Sequence, residues 1–228
     1  MKGKGFVVAI DGPAGSGKST TARLCAQRLG FFYLDTGAMY RAITLKVLKS
    51  GVDIKNGRAL KRLLNSTKVD VVWCRGKLQV KLDGRDVSES IRSPEVSGLV
   101  SEVSAIKAVR ERMVEEQRHL AKGTNVVCEG RDIGSVVFPE AQLKVFLDCD
   151  LEERVKRRKK ELNGGGRTRI GMGVVKNNLL KRDRIDSQRR ISPLRRVPEA
   201  ILIDTTHLTV EEQVAVVCAL AQQRLAGR

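Results

Sequence analysis

The stretch that decides the fold runs Phe6-Val-Val-Ala-Ile10-Asp11 and then Gly12-Pro13-Ala14-Gly15-Ser16-Gly17-Lys18-Ser19. Phe6 to Ile10 is a continuous apolar run of the kind that parallel sheets bury on both faces, and it predicts a short strand. The next eight residues match G-x-x-x-x-G-K-[ST] in full. A helix is expected from about Lys18 to Leu29, stopped by Gly30. In that setting the glycines let backbone N–H groups turn inward around phosphate oxygens, and the helix N-terminus adds its positive dipole. Lys18 is then placed to bridge the β- and γ-phosphates of a nucleoside triphosphate, and Ser19 to ligate Mg²⁺. The bland reading, a chance glycine turn before a helix, does not account for having both the strand and the helix in place.

Outward from this centre, Phe31 to Leu34 restarts a strand and a second helix is expected over Ala38 to Lys49, with Gly51 just past its end. Alternation of strand and helix predicts an α/β fold built on a parallel sheet. Further strands are expected at Asn125–Glu129, Leu143–Asp148 and Ala200–Asp204, a long helix over Pro94–Lys122 and a final one over Val210–Arg224. Val69–Cys74 and Lys77–Leu82 flank Arg75-Gly76 and alternate apolar with polar residues, which predicts an antiparallel hairpin. Residues 63–100 therefore read as a small inserted subdomain. Asn163–Gly166 is a glycine run between two arginine-rich helices.

Composition narrows the class. The 228 residues are 41% hydrophobic and 30% charged, an ordinary globular mixture of a length one domain can hold. No apolar run approaches the roughly 20 residues of a bilayer span, and no signal-type stretch follows Met1, so a cytoplasmic protein without membrane contact is expected. Five scattered cysteines (Cys25, Cys74, Cys128, Cys149, Cys218) with two histidines argue against structural zinc and against a disulfide framework. They read as small buried hydrophobes. The net charge is +17, and residues 151–200 hold 16 basic against six acidic residues. Such a field attracts polyanions of any kind.

Three further segments carry chemistry. Asp35-Thr36-Gly-Ala-Met-Tyr40-Arg41 opens a helix at the carboxyl edge of the sheet; Thr36 and Arg41 suit a second phosphate, or else Asp35 or Thr36 is simply the N-cap and Arg41 is solvated. Glu129-Gly-Arg131-Asp132 ends a buried strand, where charges are expensive unless paired by a phosphate, Mg²⁺ or a base amine, or by one another. Arg182, Asp186 and Arg189 share one helix face, either gripping a sugar or forming a solvated salt-bridge ladder.

Taken together, Asp11 to Ser19, Asp35 to Arg41, Glu129-Gly-Arg-Asp-Ile-Gly134 with Val136-Val-Phe-Pro139, and Arg182-Asp183 through Asp186, Arg189 and Ser192-Pro-Leu194 resemble the bacterial cytidylate kinases, within the nucleoside monophosphate kinase group of P-loop proteins. The resemblance covers nearly the whole chain. It implies a five-stranded parallel sheet flanked by helices (about 1–62, 101–150 and 171–228), an antiparallel NMP-binding insert (about 63–100) and a helical lid (about 151–170). It also implies transfer of the γ-phosphoryl of ATP to CMP or dCMP by a monomer, with Mg²⁺ arriving as MgATP.

ATP would lie on Gly12 to Ser19 and Thr20. Thr36, Arg41 and Arg131 look like the clamp on the CMP phosphate, and Arg157 and Arg158 like lid arginines hinged near Gly164 to Gly166. The resemblance further implies that Asp132 accepts from the cytosine amine while Arg110 and Ser101 donate toward N3 and O2. Without the resemblance, Ser101 and Arg110 are unremarked residues of a polar helix. Arg182, Asp186 and Arg189 resemble the ribose and base-side grip, and Glu129 the residue that holds Mg²⁺ through water. Two other readings stay open: a kinase for a different acceptor, and a basic P-loop NTPase that binds nucleic acid. One Trp, two Tyr and five Phe supply few stacking surfaces for the latter, so no specific nucleic acid is expected.

Overall fold

The computed structural model describes residues 5–74, 77–163 and 171–227. In chain order the elements are β1 (Val7–Asp11), α1 (Lys18–Leu29), β2 (Phe32–Asp35), α2 (Thr36–Ser50), α3 (Gly57–Asn65), β3 (Val69–Cys74), β4 (Lys77–Leu82), β5 (Arg85–Asp86), α4 (Pro94–Ala105), α5 (Lys107–Ala121), β6 (Val126–Gly130), β7 (Leu143–Asp148), α6 (Leu151–Asn163), α7 (Met172–Gln188), β8 (Ile201–Asp204) and α8 (Val210–Ala226). They form two compact units, Met1–Leu34 with Leu120–Arg228, and Asp35–His119.

The first unit holds a five-stranded sheet in the order β2-β6-β1-β7-β8, with β1 paired in parallel to both β6 and β7 and β7 to β8. Its central strands β1 and β6 are apolar without alternation because both faces are covered: Val8, Ala9 and Ile10 of β1 and Val126, Val127 and Cys128 of β6 are wholly buried, whereas β7 alternates. The strand order reverses at β1, so the loops after β1, β6 and β7 gather around the switch point where such sheets bind ligands. Helix α1 ends where Gly30 turns into the left-handed region and its N–H closes on Ala26 and Gln27. A short π-helical turn, Ile133–Val137, follows β6.

The second unit carries the antiparallel hairpin at the expected residues, extended by β5. Val69, Val71, Val80 and Leu82 point inward from β3 and β4, and α2 packs on both β4 and α4. The Arg75-Gly76 turn lies outside the described residues, as does the Gly164–Gly166 hinge.

Three features depart from expectation. The helix predicted over Pro94–Lys122 is two helices, broken at Ile106, whose backbone is extended. The break lets Arg110 Nη1 turn back and cap the Ser104 carbonyl at 3.1 Å, a partner that a continuous helix would not leave open. Helix α3 was not anticipated; Leu60 and Leu64 are its buried face. Nor was β5, although Asp83-Gly84, both at positive φ, is the dipeptide that two-residue hairpins favour.

Candidate functional site

The loop after β1 is built by close approach. Gly12 sits so near β7 that a Cβ there would fall 2.0 Å from the Leu147 carbonyl oxygen. Gly17, at φ 89°, is the N-cap of α1, and a Cβ on it would meet Gln213 Oε1 at 2.6 Å. Only glycine fits at either position. On the outer side, Ala14 packs with Val155 of α6 and Val175 and Leu179 of α7.

Lys18 points back over this loop. Its Nζ donates to the Pro13 carbonyl and, at 3.3 Å, to Ser16 Oγ. Burial, with the Arg131 and Arg182 charges nearby, lowers its pKa from 10.5 to about 7, against the opposing pull of Glu129 and Asp11. Asp11 is raised to about 6 by burial, although its carboxylate accepts the Ile133 and Gly134 N–H groups at 2.8 Å each. That pair of bonds ties the end of β1 to the turn after β6.

Ser19 Oγ donates to Glu129 Oε1 at 2.6 Å, and Tyr33 Oη reaches the same oxygen at 3.3 Å. Next along, Arg131 Nε donates to Asp186 Oδ2 at 3.0 Å. Burial opposes its charge, but Asp186 and Glu129 outweigh that and hold its pKa above the ordinary value. Arg189 lies against both carboxylates, 3.7 Å from Asp132 and 3.9 Å from Asp186. Asp186 is in the last turn of α7 and Arg189 is the residue that ends it. Asp186 and Arg189 of the predicted face are thus brought to the strand end carrying Arg131 and Asp132 and are not a solvated ladder, while the Arg182 charge acts on Lys18.

The α6 arginines divide. Arg157 donates to Thr205 through Oγ1 at 3.2 Å and the carbonyl at 2.6 Å; Thr205 in turn donates to Ser16 O. Arg158 pairs with Glu161 one turn on. In the second unit Asp35 is the N-cap of α2, accepting from Ala38 N, and leaves Thr36 buried at the first helical position. Arg41 donates to Ser97 Oγ at 3.0 Å. Ser101 is buried on α4, and Arg110, also buried, lies over the Tyr40 ring at 5.2 Å.

Residues 8–223 match the family model described as cytidylate kinase. The chain belongs to the cytidylate kinase family. It is 48% identical over 208 residues to the cytidylate kinase of Carboxydothermus hydrogenoformans, covering 91% of this chain and 93% of that one. It is 49% identical over 213 residues to that of Pelotomaculum thermopropionicum, covering 93% and 94%. An uncharacterized protein from Eubacterium ventriosum shares the fold at a TM-score of 0.54 and 14% identity, over 95% of this chain and 98% of that one. The family makes this an enzyme acting on small nucleotides, and the two open alternatives, another acceptor or a nucleic-acid NTPase, gain no support. Among the described residues no helix is long and apolar enough to cross a membrane.

The family motifs left some residues of the site unread. Arg154 is buried, donating to the Ala14 and Cys149 carbonyls and to Asp183 Oδ2 at 2.5 Å. Nothing in the run Arg154-Val-Lys-Arg157-Arg158 sets it apart from its neighbours. Thr205 and Gln213 also support the phosphate loop; the one available signal was that Thr205 follows a strand end at the carboxyl edge.

Proposed function

We propose that the carboxyl edge of the parallel sheet is where this enzyme transfers the γ-phosphoryl of ATP to CMP or dCMP, giving CDP or dCDP and ADP. The observation that carries this reading is the adjacency of two phosphate-directed cations, Lys18 after β1 and Arg131 after β6, close enough for one to depress the pKa of the other. The attacking oxygen belongs to a phosphate already ionised at neutral pH, so no general base is needed. The work is alignment and charge stabilisation with water kept out.

In this reading Gly12 to Thr20 hold ATP, with Lys18 on the transferring group. Thr36, Arg41 and Arg131 clamp the CMP phosphate. Asp132, Ser101 and Arg110 read the cytosine edge, while Arg182, Asp186 and Arg189 grip the ribose side. The 63–100 insert serves the acceptor, and Arg157 and Arg158 in the 151–170 lid act on the transferring group. Uracil reverses the donor pattern and would strand buried polar groups at about 1–3 kcal/mol each.

Ser19 and Glu129 fit a magnesium ion: two hard oxygen donors 2.6 Å apart, Glu129 buried and Ser19 open to solvent, with Ser19 as direct ligand and Glu129 acting through water. When bound with ATP the ion offsets charge on the phosphate oxygens. Glu129 already orients the Ser19 hydroxyl through their hydrogen bond. We further read the enzyme as a cytoplasmic monomer, which sedimentation of the purified protein would test.

The deciding experiment is a coupled ADP-release assay over CMP, dCMP, UMP, AMP and GMP. CMP and dCMP should lead, with UMP and AMP at least about tenfold lower in kcat/KM. Equal turnover of UMP would remove the cytosine-reading roles and leave the phosphate loop standing.

A further inference from the structure

Two of the scattered cysteines meet. Cys25 on α1 and Cys218 on α8 are 193 positions apart in the chain, and their Sγ atoms lie 2.9 Å from each other. A disulfide bond is about 2.05 Å long, so closing the pair asks for a shift of under about 1 Å. Cys25 is wholly enclosed and Cys218 is 7% exposed, in the seam where α1 and α8 pack. The seam is pinned on the side of the phosphate loop: Thr21 Oγ1 donates to Gln213 Oε1 at 3.0 Å, and Gln213 Nε2 donates to the Leu208 carbonyl. Ala22, Val214, Val217 and Ala221 fill it with wholly buried apolar atoms. No step of phosphoryl transfer uses either thiol.

We propose that Cys25 and Cys218 form an oxidation site, which hydrogen peroxide converts into an intramolecular disulfide stapling α1 to α8. Cys218, the less enclosed, attacks as thiolate on one peroxide oxygen. The S–O bond forms, the O–O bond breaks, and the departing hydroxide takes up a proton as water. The Cys25 sulfur then attacks the resulting sulfenic sulfur; the S–S bond forms, the S–O bond breaks, and the released hydroxide takes the Cys25 proton as a second water. Each sulfur gives up one electron, and the two peroxide oxygens receive both. Burial and the neighbouring sulfur raise the Cys25 thiol above its ordinary range, so the step is slow in the closed fold and quickens with pH. Once formed, the bond closes a loop of most of the chain and restricts the unfolded state accordingly.

The test treats the folded, full-length enzyme with hydrogen peroxide, blocks remaining thiols with N-ethylmaleimide, and digests it without reductant. The expected product is a linked pair of peptides bearing Cys25 and Cys218, two hydrogens lighter than their sum. Tm should rise by at least about 5 °C, and dithiothreitol should reverse both changes. Cys25→Ala should stop Cys218 at the sulfenic acid, trapped by dimedone, with no gain in Tm; should that variant not fold, Cys218→Ala removes the linked peptide in its place. Both thiols recovered as maleimide adducts while other cysteines are oxidised would overturn the proposal. So would a link that appears only in denatured protein, or a linked enzyme whose Tm is unchanged or lower.

Discussion

Two groups of charged residues in the first unit invite comparison: the cluster at the ends of β1, β6 and α7, and the arginines of α6. In the cluster, Lys18, Glu129, Asp132, Asp186 and Arg189 are all nine-tenths buried or more, and each charge lies against another. On α6, Arg154 is buried against a loop carbonyl and Asp183, while Arg157 on Thr205 and Arg158 on Glu161 are partly exposed, 24% and 20%, and Glu161 stands 60% in solvent. Breaking a buried pair leaves an uncompensated charge and costs about 3–5 kcal/mol, whereas a surface pair contributes about 0–1 kcal/mol. Depth therefore divides one basic composition into two kinds of residue. The internal ion-pair reading of Glu129 to Asp132 and the ligand-binding reading are also compatible, since a cluster that must be mutually paired to survive burial is already aligned for a phosphate.

Four outcomes would break or sharpen this division. Lys18→Ala should lower kcat at least about 100-fold while circular dichroism shows the fold intact, because a transition-state partner is lost. Near wild-type turnover would place Lys18 away from the reacting phosphates. Asp132→Asn should raise the CMP KM by about tenfold or more with ATP affinity nearly unchanged; an equal loss of ATP binding would move Asp132 to the metal side.

Arg158→Ala should lower kcat about fivefold with Tm unmoved, because its stability contribution is that of a surface pair. Arg154→Ala, by contrast, should lower Tm clearly. If the two variants behaved alike, depth would not be the dividing variable.

The smallest effect is one of pH. The fold holds the Lys18 pKa at about 7 against 10.5 unfolded, so between those values the folded chain binds fewer protons and stability rises with pH. The contribution is complete above pH 10.5 and is lost as pH falls toward 7. Wild-type enzyme should gain a few degrees of Tm over Lys18→Met as pH rises from 7 to 10. Parallel curves would mean that Lys18 stays charged in the fold.

Where local chemistry decided the structure, the chain could be read in advance. Gly30 ends α1 at the expected residue, and the alternation in Leu78, Val80 and Leu82 located β4. The positions of the parallel strands followed from their apolar runs, though not their order in the sheet. Where a distant partner decided it, the pattern was silent. Helix α3 escaped because nine residues are too few to hold a helix alone, although Arg58 to Leu64 are all good helix formers; the surface that buries Leu60 and Leu64 decides it. The break at Ile106 goes with Arg110 turning back onto the Ser104 carbonyl, a contact the polar run does not announce. In the site, the motifs located Lys18, Ser19 and Glu129 to Asp132, but not that Arg131 would take Asp186, 55 residues on, or that Arg154 would be the buried arginine of its helix.

The contact between Gly12 and β7 also sets a limit on how this chain can be altered. A methyl at position 12 would press on a backbone carbonyl, and the strand bearing it pairs with both β1 and β8, so no single neighbouring side chain can move aside to admit it. Rescue by a second substitution is closed there, because the obstacle is main chain and is common to all sequences on this backbone. Gly57, at the start of α3, has nothing within 4 Å of where its Cβ would stand. A programme of stabilising replacements can begin at that helix, where alanine would gain helix propensity, and has to leave the phosphate loop as it is.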